Sequence, residues 1–199
     1  METRAAEFER ALHGTTPLPD HPEPTGSRLD DAWRRWMAAP AARRAWEWGA
    51  PAAVVALAAA TRLVGLEHPH SLVFDETYYV KDAYTLSQLG YEARWPADAN
   101  AAFEAGDADV HLAEGSFVVH PPLGKWIIAA GLVVLGAESA FGWRIGMALV
   151  GVLLVIVTML VARRLFASTT LAVLAGGLLA IDGNAIVMSR VALLDNGVA

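Results

Sequence analysis

The sequence predicts an all-α membrane protein with three spanning helices, a long outside loop carrying juxtamembrane helices, and a cytoplasmic N-terminus. Three observations predict it. Apolar residues make up 55% of the 199 residues. They are clustered into a few long runs rather than spread along the chain. Basic and acidic residues fall on opposite sides of the first apolar run.

Residues 1–46 are polar at first, with Pro17, Pro19, Pro22 and Pro24 in a stretch too poor in apolar residues to bury a core. No secretory signal peptide is expected there. Residues 1 to about 30 read as a disordered cytoplasmic tail. Residues 31–46 read as an interfacial helix, because Trp33, Trp36 and Trp46 alternate with Arg34, Arg35, Arg43 and Arg44. Residues 47–199 then form the N-terminal part of a transmembrane domain.

The first span is placed at 48–66, where the thirteen residues from Gly49 to Thr61 carry no charge and Arg62 must snorkel or face protein. The second, at 143–162, is closed by Arg163 and Arg164. The third, at 168–188, is interrupted late by Asp182, Gly183 and Asn184. A fourth run, Trp126 to Leu135, has ten residues, which at 1.5 Å each cover about half of a 30 Å hydrocarbon core. It is therefore kept out of the bilayer, inside an outside loop spanning 67–142.

Charge supports that choice. Arg28, Arg34, Arg35, Arg43 and Arg44 precede the first span, whereas residues 67–122 hold ten acidic side chains against Lys81 and Arg94. The positive-inside rule puts the first group in the cytoplasm and the loop outside. Arg163 and Arg164 then return to the cytoplasm. Arg144 and Arg190 sit at outer ends of spans, so that charge converges on one face. The apolar pattern stops at Leu193-Leu194-Asp195-Asn196-Gly197-Val198-Ala199 where a fourth span should begin, so further spans are expected beyond it.

The chemistry-bearing residues lie on that outer face. Adjacent acids such as Asp75 and Glu76 are ordinarily just solvated. These two fall in the first turn of an amphipathic helix read over 77–89, with Tyr78, Tyr79, Ala83, Leu86 and Leu89 available for its apolar face. A helix N-terminus favours the ionised carboxylate, which suits a general base. His120-Pro121-Pro122-Leu123-Gly124-Lys125 stiffens a helix entry. Its lysine either snorkels or grips a lipid phosphate at headgroup depth. Arg62, Arg144 and Arg190 are charges in or beside apolar spans, expensive enough to suggest an anion site. Asp182 can pair with one of them structurally. Asp107-Ala108-Asp109 has the D-x-D form of soluble nucleotide-sugar transferases, yet an acidic Gly/Ala-rich loop makes a solvated pair the better reading. The chain has no cysteine, which excludes disulfides and thiolate metal sites, and its net charge of −6 argues against a nucleic-acid partner.

Taken in order, Phe74-Asp75-Glu76, the His-Pro-Pro-Leu-Gly-Lys element at 120–125, Trp143-Arg144, and Ser189-Arg190-Val191-Ala192-Leu193-Leu194-Asp195 resemble the protein O-mannosyltransferase family. These are membrane enzymes of the GT-C class, with actinobacterial members. Single elements are shared more widely; the aminoarabinose transferases of lipid A also carry an early outside Asp-Glu. The resemblance covers roughly residues 50–199. It implies a GT-C-type multi-span helical bundle in the plasma membrane, of which this chain would hold the first three spans. It further implies a polyprenyl-phosphate-mannose donor, a Ser or Thr hydroxyl of a translocated protein as acceptor, contact with membrane lipid and the translocation machinery, and neither cofactor nor metal. By position, Asp75 resembles the catalytic base and Glu76 the acid that positions the acceptor. Arg62, Lys125, Arg144 and Arg190 fall where basic residues surround the donor phosphate, with His120, Asp182 and Asp195 in support. Attack opposite the phosphate would invert the anomeric centre. Two other readings stay open: a GT-C transferase with a glycan or lipid acceptor, and a non-catalytic membrane subunit whose arginines pair structurally.

Overall fold

Serine at position 27 starts the first described helix by a reciprocal cap. Its hydroxyl accepts the Asp30 amide at 3.2 Å, and the Asp30 carboxylate accepts the Ser27 amide at 2.9 Å. The computed structural model describes residues 26–194. Helix α1 runs Arg28–Ala38 and α2 runs Pro40–Leu63. Between them Ala39 is extended, with ψ 124°, because the ring of Pro40 disfavours helical backbone in the residue before it. The interfacial helix expected over 31–46 is therefore two helices. Helix also begins at Arg28, inside the stretch expected to be disordered to about residue 30. The rest of that tail lies outside the described residues. The chain divides into two compact units at Arg43 and Arg44, and the second of them carries the candidate site.

Beyond α2 come α3 Glu76–Leu89, α4 Ala99–Glu104, α5 Pro122–Leu135, α6 Ala140–Phe166, α7 Thr169–Ile181 and α8 Gly183–Arg190. Pro122 occupies the first turn of α5, where its missing N–H matters least. With 14 residues this helix is about 21 Å long, too short to cross a bilayer by itself. Among the described residues α6 is the helix long and apolar enough to cross a membrane. The α7–α8 pair counts as a second if its two pieces are one span, and they are bent by 60° at Asp182. The aspartate explains the break: its carboxylate accepts the Ala185 amide at 2.7 Å and caps α8. The interruption expected late in the third span is thus a break between two helices that meet at a cap. The segment expected as the first span is α2 from Trp48 onward together with the three residues after it, and its uncharged stretch runs only from Trp48 to Thr61.

Helix α6 runs through both hydrophobic clusters. Its first half, with Trp143 and Met147, packs with Tyr79, Val80 and Ala83 of α3, Ile128, Ala129 and Leu132 of α5, and residues 192–194. Its second half, with Val155, Met159 and Ala162, packs with Val54 and Ala58 of α2 and Ala172 and Ala180 of α7. Helices α5 and α6 touch backbone to backbone. A Cβ on Gly131 would collide with the Gly142 carbonyl, and one on Gly146 would lie 2.8 Å from the Ile127 carbonyl oxygen. Small residues at such crossings let apolar helices pack by close contact. The large apolar side chains Leu149, Leu153, Leu160 and Leu165 of α6 and Leu174 and Leu178 of α7 remain exposed.

The loop from Val64 to Asp75 lies where α2 and α8 end and α6 begins, and the site is built on it.

Candidate active site

Asp75 is placed by a tight backbone turn. Phe74 adopts φ +56°, a left-handed conformation that a bulky side chain rarely takes, with its own ring exposed. The turn lets the Asp75 carbonyl accept the amides of Tyr78 and Tyr79 at 2.9 and 3.0 Å, which starts α3. The Asp75 side chain does not cap that helix. It faces a cleft of about 470 Å³ lined by Tyr78, Tyr79, Asp82, Ser116, Phe117 and Val119. The Tyr79 hydroxyl donates to its Oδ2 at 3.4 Å.

Glu76, the next residue, is fully buried. Its two oxygens accept four hydrogen bonds: from Arg144 Nε at 2.7 Å and Nη2 at 2.8 Å, from the Val73 amide at 3.0 Å, and from the Ala192 amide at 2.8 Å. Arg144 is equally saturated. Its remaining N–H groups reach the carbonyls of Leu66 at 3.2 Å, Pro69 at 2.7 Å and Ser71 at 3.0 Å, so all five guanidinium donors are engaged. The two neighbouring acids thus do different things. One is presented to a cleft, and the other ties the α2–α3 loop to α6 and to the segment after α8.

The other basic residues are held in the same manner. Lys125 is fully buried, and its ammonium bonds Asp82 at 3.0 Å and Glu92 at 2.6 Å. Arg62 is buried with Nη1 on the carbonyls of Ala58 and Ala180 and the Thr61 hydroxyl, and Nη2 on the Leu179 carbonyl. The carbonyls of Leu179 and Ala180 belong to the final turn of α7, which has no intrahelical donors for them. Arg190, half-buried, caps α2: it donates to the carbonyls of Thr61, Val64 and Gly65 at 2.9–3.0 Å and of Arg62 at 3.3 Å. Arg62, Arg144 and Arg190 do converge, as their places in the sequence imply, but on backbone carbonyls of residues 58–71 and 179–180 and on Glu76 rather than around an open anion site.

His120 packs edge-on against Tyr79 with ring centroids 5.5 Å apart, which puts it beside the Asp75 cleft. Asp182 is the cap of α8. Asp195 lies outside the described residues. In the D-x-D pair, Asp109 accepts the Tyr84 hydroxyl at 3.1 Å, and burial together with that carboxylate pushes the tyrosine up. Among the described residues no three His, Asp or Glu side chains are grouped to hold a metal ion.

Sequence reasoning misses Asp82 and Glu92. Asp82 sits seven residues after Asp75, on the same face of α3, and that spacing is a usable signal. Nothing in the sequence marks Glu92. Burial raises the Asp82 carboxyl above its ordinary 3.8 even against the Lys125 ammonium. Burial likewise lowers Lys81, whose ammonium bonds Asn100 at 2.7 Å. A raised carboxyl pKa means that the folded state binds the proton more tightly than the unfolded one. Its contribution to stability is full below pH 3.8 and fades as pH rises through the folded value. Thermal unfolding measured from pH 4 upward should therefore show a smaller loss of Tm in Asp82→Asn than in the parent protein; an equal or steeper loss would overturn this.

Comparison with known proteins gives this geometry a family. Residues 111–198 match the family model described as Dolichyl-phosphate-mannose-protein mannosyltransferase. The chain is 36% identical over 155 residues to the Polyprenol-phosphate-mannose--protein mannosyltransferase of Mycolicibacterium smegmatis, covering 76% of this chain and 27% of that protein. It is 34% identical over 152 residues to the protein of that name in Mycobacterium tuberculosis, covering 74% and 26%. Identity is again 34%, over 147 residues, with the one in Corynebacterium glutamicum, covering 72% and 26%. The chain thus spans about a quarter of the length of these relatives. No solved structure matches it significantly. The matched stretch contains the Lys125, Arg144 and Arg190 elements, and the wider alignments extend over some three-quarters of the sequence. The chain belongs to the dolichyl-phosphate-mannose–protein mannosyltransferase family.

Proposed function

We propose that this chain forms the part of a membrane mannosyltransferase that holds its general base, and that the whole protein moves mannose from polyprenyl-phosphate-mannose to Ser or Thr hydroxyls of translocated proteins. The observation that carries this reading is the contrast between Asp75, open to a cleft, and Glu76, locked behind it. A serine hydroxyl is a weak nucleophile at neutral pH. Asp75 takes its proton as the oxygen attacks the anomeric carbon, the sugar–phosphate bond breaks, and the phosphate leaves as an anion with inversion at carbon 1. Glu76 and Arg144 position Asp75 through the backbone of residues 66–76. Of the four basic residues expected near the donor phosphate, Arg190 is the one that, among the described residues, keeps both access and donors beyond its bonds to protein, Nε and one hydrogen of Nη2. Arg62, Lys125 and Arg144 act as positioning residues.

The names of these relatives support the donor and acceptor class. The test is transfer of labelled mannose from polyprenyl-phosphate-mannose to a Ser/Thr peptide by the full-length protein and its Asp75→Asn variant.

The site is assigned to the outer face of the plasma membrane, with the N-terminus cytoplasmic and α5 lying along the surface. The acid-rich stretch 67–122 beside the basic N-terminal segment supports this orientation. Single cysteines introduced into the cysteine-free sequence should react with a membrane-impermeant thiol reagent on intact cells at Asp98→Cys and not at Arg163→Cys. The reverse pattern would sink the orientation.

A further inference from the structure

Helix α6 carries Arg144 near one end and Arg163 near the other, about 28 Å apart along the helix. At the Arg163 end, away from the candidate active site, a groove of about 480 Å³ opens between α2 and α6. Its walls are mostly apolar, with Pro51 and Val55 of α2 facing Ile156, Met159 and Leu160 of α6. Two charged side chains line the same groove, Glu47 of α2 and Arg163 of α6.

These two charges do not neutralise each other. Among the described residues Arg163 donates one bond, from Nη1 to the Thr169 hydroxyl at 2.7 Å, which leaves most of its five donors open. The Glu47 carboxylate is half-buried and has no hydrogen bond or ion pair among the described residues. Pro51 sharpens the point. It lies inside α2 and has no N–H, so the Glu47 carbonyl, four residues earlier, lacks its helical donor. Glu47 therefore offers a carboxylate and a main-chain carbonyl to whatever enters the groove. Trp48, another lining residue, is 78% exposed, as aromatic side chains are where lipid headgroups begin.

An acid and a base held apart in an apolar groove select a ligand with the complementary pattern. A hydrocarbon chain or an apolar helix would leave both charges unpaired. A headgroup with only negative charge satisfies Arg163 but meets Glu47 as a like charge. A choline headgroup brings a positive charge without an N–H for the Glu47 oxygens. A primary ammonium and a phosphate on one headgroup answer both sides, with N–H donors for Glu47 and phosphate oxygens for the guanidinium. We propose that this groove binds an aminophospholipid of the phosphatidylethanolamine type, its ammonium on Glu47, its phosphate on Arg163 and an acyl chain along Val55, Ile156 and Met159. The proposed orientation puts this lipid in the inner leaflet. The site needs the chain to sit in a membrane and does not need the transfer reaction.

The experiment is native mass spectrometry of the full-length protein in detergent, titrated with phosphatidylethanolamine, phosphatidylcholine and phosphatidylglycerol of matched acyl chains. The parent protein should bind one phosphatidylethanolamine about tenfold more tightly than either other lipid, as expected for a charge-assisted hydrogen bond the others cannot make. Glu47→Gln should lose that preference, and Glu47→Lys should turn it toward phosphatidylglycerol. Arg163→Gln should weaken phosphatidylethanolamine and phosphatidylglycerol together. Arg163 is exposed and Glu47 half-buried without partners, so all three variants should keep the parent Tm. Equal binding of the three lipids by the parent protein, or an unchanged preference in Glu47→Lys, overturns the proposal. A groove filled by a later helix of the chain or by a second copy would give that equal binding. Mannosyl transfer is the separate readout: a parent protein that transfers mannose without the lipid preference overturns this groove alone, and one with the preference but no transfer overturns the proposed reaction alone.

Discussion

Asp75→Asn in the full-length protein should lower mannosyl transfer to a Ser/Thr peptide by about 10²–10⁴-fold, the range a positioned general base contributes, without a measurable change in Tm. Asparagine keeps the shape and can still accept the Tyr79 hydroxyl, but it cannot take a proton from the acceptor. Folding should be indifferent because the carboxylate neither caps α3 nor pairs with a cation among the described residues; its one described hydrogen bond is the 3.4 Å contact with Tyr79. Binding of the lipid-linked donor should also persist, so the loss should appear in kcat. Transfer by the variant at the parent rate would show that the proton goes elsewhere.

The neighbouring substitution should have the opposite signature. Glu76→Gln turns one of the carboxylate's two oxygens into an NH₂ facing donors, either Arg144 and Val73 or Arg144 and Ala192. Removing one partner of a buried ion pair costs about 3–5 kcal/mol, a large part of the roughly 5–15 kcal/mol that typically holds a domain folded. Thermal stability in detergent should collapse, and Arg144→Lys should do nearly the same, since three ammonium donors cannot serve the five bonds that Arg144 makes. Activity would fall with the amount of folded protein. A Glu76→Gln protein with parent Tm and no transfer would instead mean that Glu76 touches substrate, and the division of labour between the two acids would be wrong.

Much of this helix plan is legible in the sequence. The amphipathic stretch read over 77–89 is α3, one residue short at its start, and Pro122 marks the entry to α5. The Asp182 interruption is visible, although its effect, a 60° bend, comes from a capping geometry that composition alone does not specify. The break at Ala39 and Pro40 is legible too, since a residue before proline tends to leave the helix, but the Trp/Arg pattern around it outweighs that signal. Asp75 and Glu76 stand out in the sequence, whereas Asp82, Glu92 and the partners of the basic residues do not. Arginines beside apolar spans signal either a ligand or an internal partner, and here the partners of Arg62 and Arg190 are mostly backbone carbonyls, which any residue type supplies and no sequence reveals. Lys125 is hidden for a different reason: its carboxylates are 43 and 33 residues away, on a helix face and in a loop that no local pattern links to it.

The Arg190 cap and the Ala192–Glu76 bond also set an order of events during synthesis. The acceptor carbonyls of residues 61–65 and the Glu76 carboxylate leave the ribosome 116 to 129 residues before the groups that bond them. At about 5–20 residues per second that is a delay of roughly 6–26 s. Arg144 reaches the loop bearing Asp75 sooner, 68 to 78 residues behind its acceptors, but until the end of that interval the loop lacks the bonds from Arg190 and Ala192. The nascent chain must therefore keep this loop solvated, or shielded by whatever inserts it, until the helix ending at Arg190 arrives to close it.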